Sequence, residues 1–511
     1  MDELASFPPV RKRATDKALR QLFASLDWPA ALALVLPFLL YLHTMAPTVY
    51  NLDSAELTTA AATGGILRAT GYPLYLALGW LWSHLPVGDV GFRLNLFSAF
   101  CAALTILLLE LSLRRLRVGL WARLGALGLL ASAPYFWAMS LIAEVYTLHT
   151  ALLAGILLAT LRWRERPTAK RLALVIFLLV LSFGNHAATV LLVPGLAWFL
   201  FATAPRRLLQ GQTWRLALPA ALLAACVFLY LPLRYAAAPA FNYAGQFDAQ
   251  GNFIAVNLQT LHGFLWLVTG RSFAAQMFGY NLAGVGREIV SFAAQLWQAF
   301  FAVGIGPGLL GMLLLWKRDR RLGEMLLLLF GANVAFYVNY HVVDKNTMYL
   351  PAYVIWALWL ALGLQELWRW THNTRLQQAV RWFFPIVALL AVAWNWQHVD
   401  LSGDWSARQQ GEEILQNAAP DAIILGWWDT VPVVQYLQLV EGRRPDVLAI
   451  NRFLISGENF DRLVEREAGQ RPIYVNAPPP EFLRSMRVEH AGPLYRLYQR
   501  ENHATQEDNP R

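Results

Sequence analysis

The stretch from Trp28 to Glu56, WPAALALVLPFLLYLHTMAPTVYNLDSAE, decides how this chain folds. From Pro29 to Ala46 only His43 and Thr44 interrupt an apolar run, close to the about 20 residues a helix needs to cross a bilayer. Pro47 breaks the pattern, and two carboxylates follow closely, Asp53 and Glu56. A membrane span that opens onto paired acids is the unit from which the rest of the chain is read.

Composition carries the same message along the whole sequence. Of 511 residues 57% are apolar and 15% charged, against about 25% charged in ordinary soluble domains. The bilayer is the expected solvent. Eleven segments are predicted to span it: 29–46, 94–113, 122–140, 143–161, 172–186, 188–204, 216–235, 289–316, 323–340, 350–368 and 380–397. The fifth and sixth divide a run from Leu172 to Ala204 that is too long for one crossing, at Gly184-Asn185-His186.

A net charge of +9 would suggest nucleic acid if the basic residues formed one patch. They are sorted between loops instead, which removes nucleic acid as a partner. With the N-terminus inside, inner segments hold 24 Lys and Arg, among them the stretch Arg11 to Arg20. Outer loops before the last span hold six: Arg68, Arg93, Arg234, Arg271, Arg287 and Lys345. The other 12 lie beyond His398. This excess on short cytoplasmic loops predicts a multi-pass protein of the cell (inner) membrane with a cytoplasmic N-terminus. Residues 1–28 form a polar, basic segment without the apolar core of a cleaved signal peptide, so the first span is expected to stay as an anchor. Cys101 and Cys226 fall inside apolar runs and do not report a redox compartment.

The module from 29 to 397 has two long outer loops. The first, 47–93, contains an apolar stretch from Tyr72 to Leu85 without a basic flank. It is predicted to lie as a helix at the outer interface, with Tyr75, Trp80 and Trp82 as belt residues. The second, 236–288, is rich in Gly, Asn, Gln and aromatic residues and long enough to carry function. Beyond it, short β-prone runs (Ala422 to Trp427, Asp446 to Asn451, Pro472 to Val475) alternate with amphipathic stretches (Val431 to Val440, Phe460 to Glu467). That alternation predicts a small extracytoplasmic α/β domain over 398–500, followed by a polar, disordered tail at 501–511.

The outer acids have two readings. Their i, i+3 spacing is that of a capping box, Asp53 at the N-cap and Glu56 at N3, which satisfies orphan amides without chemistry. It also puts both carboxylates on one helix face, where a partly desolvated carboxylate can take a proton from an acceptor hydroxyl. Glu144 opens the fourth span in Glu144-Val145-Tyr146-Thr147-Leu148-His149. A carboxylate facing lipid at the bilayer centre costs about 2.5–3.5 kcal/mol, so Glu144 faces a bundle interior, a cavity or the interface. It is either a third site acid or a helix-start acid stabilised by the dipole. On the same side Asn185 and His186 either make a turn or bind phosphate. Arg234, Arg271 and Lys345, which follows Asp344, are either interface cations or phosphate ligands. No nucleotide-binding signature accompanies them. A membrane-borne, phosphate-activated sugar donor fits such a set: a carboxylate takes the acceptor proton, the sugar carbon becomes oxocarbenium-like, and cations hold the leaving phosphate.

The motifs Asn51-Leu52-Asp53-Ser54-Ala55-Glu56, Gly71-Tyr72-Pro73-Leu74-Tyr75 and Arg93-Leu94-Asn95 resemble those of a large bacterial membrane-protein family. A eukaryotic relative of that family is a transmembrane protein O-mannosyltransferase acting on plexin-type receptors. The resemblance continues through Ala143-Glu144-Val145-Tyr146, Gly184-Asn185-His186, Val268-Thr269-Gly270-Arg271, Tyr349-Leu350-Pro351-Ala352 and Leu401-Ser402-Gly403-Asp404, nearly the whole chain. It implies a GT-C-like polytopic helical membrane protein of about 11 transmembrane helices with a small outer α/β domain. It also implies a polyprenyl-phosphate-linked sugar as donor. Carried onto this sequence, Asp53 is the catalytic base, Glu56 assists it and Glu144 is the second outer acid. Beside them, His149, His186, Arg234, Arg271, Lys345, Tyr72 and Tyr349 are the candidate contacts to substrate or donor phosphate. The chain departs from the family at Arg68-Ala69-Thr70-Gly71-Tyr72-Pro73, where the pattern is often His-Pro-Pro-Gly-Tyr-Pro.

The expected activity is therefore transfer of a sugar, with mannose implied by the resemblance, to a hydroxyl of a protein or envelope glycan on the outer face, with inversion. The other readings are a transporter or flippase of a lipid-linked or envelope precursor, and a non-catalytic assembly factor of an envelope glycan machine. A transporter places its site near the midplane, whereas these acids gather at one face. No motif calls for a cofactor, and a divalent metal stays open because two or three acids do not specify one.

Overall fold

A computed structural model describes residues 27–342, 345–371 and 373–499. The basic stretch Arg11 to Arg20, Asp344 and the tail from Glu501 lie outside the described residues.

Helices stand at all eleven predicted positions. Among the described residues five are long and apolar enough to cross a membrane: Val90–Arg115, Val145–Glu165, Gly211–Ala236, Lys345–Trp370 and Thr374–Val399. Shorter apolar helices include Trp28–Thr44, Leu120–Ala131 and Ala187–Thr203. The chain is a multi-pass membrane protein. The run from Leu172 to Ala204 divides where expected, with Ala169–Phe183 ending at Gly184 and the next helical segment starting at Ala187.

One predicted span is corrected. Residues 289–316 are two helices, Leu282–Ala299 and Ile305–Arg318, separated where Phe301 and Ala302 take positive φ (51° and 55°). Glu288 and Gln295 on the first helix both bond one short segment, through Lys345 (2.9 Å) and Asn346 (2.6 Å), so this helix runs along the end of the bundle read as outer. The second descends against Leu350–Trp370, where glycines permit close approach: a Cβ on Gly311 would stand 1.8 Å from the Trp359 carbonyl oxygen. Small residues at helix contacts are how bundles pack in lipid, where apolar burial gives no drive.

Ion pairs sort the loops as the charge count does. Glu110 takes Arg114 (2.8 Å) and Arg123 (2.9 Å), Arg115 meets Glu165 (2.6 Å), and Glu366 takes Arg369 (2.8 Å) and Arg318. All of these belong to the end read as inner.

At the end read as outer, Trp28–Thr44 is fixed by Asn95, whose amide donates to the carbonyls of Ala46 and Thr48 (2.9 Å each). The apolar stretch from Tyr72 to Leu85 forms the helix Pro73–Ser83. Trp80 is exposed and Trp82 half-buried, but Tyr75 is not a belt residue: it is fully buried against Phe97, with ring centroids 5.6 Å apart.

The second outer loop carries a small hairpin, β1 (Gly245–Phe247) with β2 (Phe253–Ala255). The C-terminal domain adds β3 (Ile423–Gly426), β4 (Leu448–Asn451), β5 (Ile473–Val475), β6 (Met486–Ala491) and β7 (Leu494–Gln499), in sheet order β4-β3-β5-β7-β6. The three predicted strands are β3 to β5, mutually parallel; the antiparallel β6–β7 hairpin was not foreseen. Side chains alternate between two cores, Ile424, Ala449 and Tyr474 on one face and Ile423, Leu425 and Ile450 on the other. The first face is covered by a docking helix, Val431–Leu439, which also packs on Asp53–Thr63. Val49 and Ala55 thereby join the domain's apolar core. Arg408 fastens the joint, donating to Glu441 (2.7 Å) and Asp89 (3.3 Å), while the Tyr436 hydroxyl accepts from the Gly91 amide (3.3 Å).

Candidate active site

The acidic helix, Asp53–Thr63, begins directly at Asp53, preceded by Leu52 at φ 55°, and no side chain caps it. The capping box is therefore not formed. Both carboxylates turn instead to one guanidinium: Arg68 Nη2 donates to Asp53 Oδ1 (2.5 Å) and its Nε to Glu56 Oε2 (3.3 Å). The helix ends at Gly64 in the left-handed region (φ 62°), with Arg234 donating to the carbonyls of Gly64 and Thr63. The chain then runs back beside the second outer loop, Ile66 N donating to Phe241 O (3.0 Å) and Tyr243 N to Ile66 O (2.9 Å). That return brings Arg68 under the acids, and the residue at 68 closes the site.

Glu56 is almost fully buried. Burial pushes its carboxyl up to about 8, against the pull of Arg68 and with a further push from Asp53. One half-buried cation thus serves two carboxyls. The Asp53–Arg68 pair remains as the charged part of the site, with Asp53 Oδ2 carrying no hydrogen bond among the described residues.

Glu144 joins from the start of Val145–Glu165. Its amide donates to Ser98 Oγ (3.1 Å), and the neighbouring Ala143 amide donates to Ser54 Oγ (3.2 Å), so the two acidic motifs are tied through Ser54. Asn185 donates to Val145 O (3.1 Å), fixing the 184–186 turn to the same helix start. Tyr72 lies within electrostatic reach of Arg68, Asp53, Glu56 and Glu144, and burial raises its hydroxyl. Its ring is 5.9 Å from His186, which in turn is 6.0 Å from Tyr146 and 5.4 Å from His149. Asp53, Glu56, Glu144, Tyr72, His149 and His186 therefore form one connected group.

The remaining candidates stand elsewhere. Arg234 is occupied as the cap of the acidic helix rather than open to a phosphate. Lys345 is buried in a separate cluster, bonded to Glu288 and the Tyr280 hydroxyl (2.9 Å each) and lining a cavity of ≈ 370 Å³ with His341 and Asn346. Tyr349 is buried against Phe292 (4.8 Å) and Tyr337 (5.9 Å). Arg271 is exposed, on the same turn as Phe273, whose ring centroid is 5.8 Å from the Arg68 guanidinium carbon. Among the described residues no three His, Cys, Asp or Glu gather as a metal set.

Three contributors were not singled out from sequence as site residues. Arg68 was counted only as one of six outer cations and as a departure from the family pattern. Trp428, on the loop after β3, lies 4.2 Å from the Arg68 guanidinium by ring centroid. Tyr243, from the second outer loop, packs edge-on against Trp428 (5.8 Å) and donates its hydroxyl to Gln435.

With this geometry in place, known proteins can be compared. The family model described as "Protein O-mannosyl-transferase TMEM260 N-terminal domain" matches residues 53–209, beginning at Asp53. A Dictyostelium discoideum protein O-mannosyl-transferase, tmem260, is 22% identical over 475 residues, covering 83% of this chain and 57% of the relative. The Mus musculus TMEM260 protein O-mannosyl-transferase is 25% identical over 436 residues, covering 80% and 60%. The chain thus spans less than two thirds of the length of these relatives. Among solved structures, ArnT from Cupriavidus metallidurans bound to undecaprenyl phosphate superposes with a TM-score of 0.54 at 12% identity, covering 94% of this chain and 98% of ArnT. The apo form of the same protein gives 0.55 at 13% identity. These structures share the fold, a GT-C arrangement of helices.

Proposed function

We propose, for this GT-C-type membrane protein related to the protein O-mannosyl-transferases, that it moves a sugar from a polyprenyl-phosphate donor to an acceptor hydroxyl. The reaction takes place at the outer face, in a cell (inner) membrane with the N-terminus inside. The names of the relatives favour mannose and a protein acceptor. The polyprenyl carrier is favoured by the undecaprenyl phosphate bound to ArnT. The observation that carries the reading is the Asp53–Arg68 pair, with Glu56 buried beside it and one carboxylate oxygen of Asp53 open.

In this reading Asp53 Oδ2 takes the proton of the acceptor hydroxyl as its oxygen attacks the anomeric carbon. The bond from that carbon to the phosphate oxygen breaks, and polyprenyl phosphate leaves with the bonding pair. A single displacement inverts the centre. Arg271, exposed on the turn that carries Phe273, is suited to the leaving phosphate, and His149, His186 and Tyr72 to sugar hydroxyls. A transporter would be favoured by charge buried at mid-bundle. Among the described residues the buried acids and lysine (Glu56, Glu110, Glu144, Lys345, Glu366) stand near the ends instead.

Mass spectrometry of envelope proteins and glycans from cells with and without the gene tests the proposal. A hexose increment on one or more acceptors should vanish on deletion and return with the wild-type gene. An unchanged set of modified species contradicts it.

A further inference from the structure

We infer that the outer α/β domain is a working part of the active site: Trp428 stacks on the Arg68 guanidinium and, through it, holds the Asp53 carboxylate for proton removal. This rests on Asp53 being the base. Arg68 uses Nη2 and Nε for the two carboxyls, which fixes one edge of the guanidinium but leaves its plane free to tilt. A planar cation is held in plane by an aromatic face, and the Trp428 ring at 4.2 Å provides one. Trp428 is itself immobilised, edge-on against Tyr243 (5.8 Å) and Phe453 (5.1 Å).

The loop bearing Trp428 leaves the carboxyl end of the parallel strand β3, the position at which α/β sheets place working groups. Here the docking helix and Arg408 seat that edge over the acidic helix, so the group is delivered to the membrane module's own acids. A domain that served only to tether an acceptor would not need a tryptophan on the cation of the base. Trp428 is thus a positioning residue acting through Arg68, and Phe at 428 should substitute where Ala should not.

The test uses purified full-length protein in nanodiscs, radiolabelled polyprenyl-phosphate mannose, and membrane proteins from the deletion strain as acceptors. Trp428→Ala should lower kcat by about tenfold, the scale of one desolvated cation–π contact, while KM for the donor stays within about twofold. Trp428→Phe should recover most of the rate. The double variant Arg68→Ala with Trp428→Ala should be no slower than Arg68→Ala alone, since both act through one contact. Should Trp428→Ala not fold, Trp428→Leu, with apolar bulk but no ring, takes its place. The inference is overturned if the tryptophan variant keeps its kcat, if KM rises in place of the kcat loss, or if the two losses multiply. Asp53→Asn keeps the two readings apart. If it turns over like wild type the base assignment falls, while the double-variant comparison still decides whether residues 68 and 428 act as one.

Discussion

The two ends of this bundle handle buried acids in opposite ways. At the inner end Glu110 gives one oxygen to Arg114 and the other to Arg123, and Glu366 is likewise shared between Arg318 and Arg369. Each carboxylate there has two guanidinium partners and both oxygens bonded. At the outer end the ratio is reversed, with Asp53 and Glu56 dividing one arginine between them. A buried ion pair with every lone pair satisfied is a fastening, and such pairs add little net stability over apolar packing. A cluster short of countercharge is held at a cost, pushes one carboxyl's proton affinity up and leaves an acceptor oxygen unused. That imbalance is what proton transfer requires, and it separates working acids from structural ones more clearly than burial does, since Glu56 and Glu110 are equally buried at 2%.

The contrast can be broken or sharpened by substitution. The largest effect is expected at Arg68. Arg68→Ala should cut sugar transfer per folded molecule by about a hundredfold, the loss typical of a displaced reacting group, with Arg68→Lys intermediate. Rates normalised to the monodisperse chromatographic peak check this. At the inner end Glu110→Ala should act on stability instead. Taking the carboxylate from Arg123 and leaving Arg114 with Asp27 alone should cost about 3–5 kcal/mol, visible as earlier thermal unfolding, with transfer per folded molecule unchanged. A large loss of turnover from this variant would erase the distinction.

The smallest effect concerns Glu56 and pH. Its carboxyl is raised by burial from the ordinary 4.5 to about 8 in the folded chain. The unfolded chain ionises first as pH rises, so this group's contribution to stability is complete below the unfolded value and is lost as pH climbs through the folded one. Thermal melts of wild type should therefore fall between pH 5 and 9 more steeply than those of Glu56→Gln. Parallel curves would place the proton elsewhere.

Much of this was legible in the sequence because it is local or periodic. Apolar runs and arginine counts located the helices and sorted the loops, and short motifs pointed to Asp53, Glu144 and His186, which the fold brings together. The span at 289–316 misled because a mostly apolar run hides a turn whose sequence marker is only Gly304-Ile305-Gly306-Pro307. Tyr75 was misplaced because hydropathy gives no direction to a helix that is apolar nearly all round. The capping reading of Asp53 and the phosphate reading of Arg234 failed for one reason: each side chain bonds a partner brought near by tertiary packing, Arg68 for the first and the end of the acidic helix for the second. The Arg68–Trp428 stack joins residues 360 positions apart across two domains and leaves no local pattern. The single clue was a cation where the related motif has histidine.

The central claim is that Asp53 removes the proton in sugar transfer from a polyprenyl-phosphate donor. It is tested most directly by comparing purified wild type and Asp53→Asn, equal in folding and in donor binding, for radiolabelled mannose moved from the polyprenyl carrier to acceptor protein. Loss of the base should lower transfer by about 10²–10⁴-fold with the donor still bound. Transfer at the wild-type rate by the Asn variant would contradict the account.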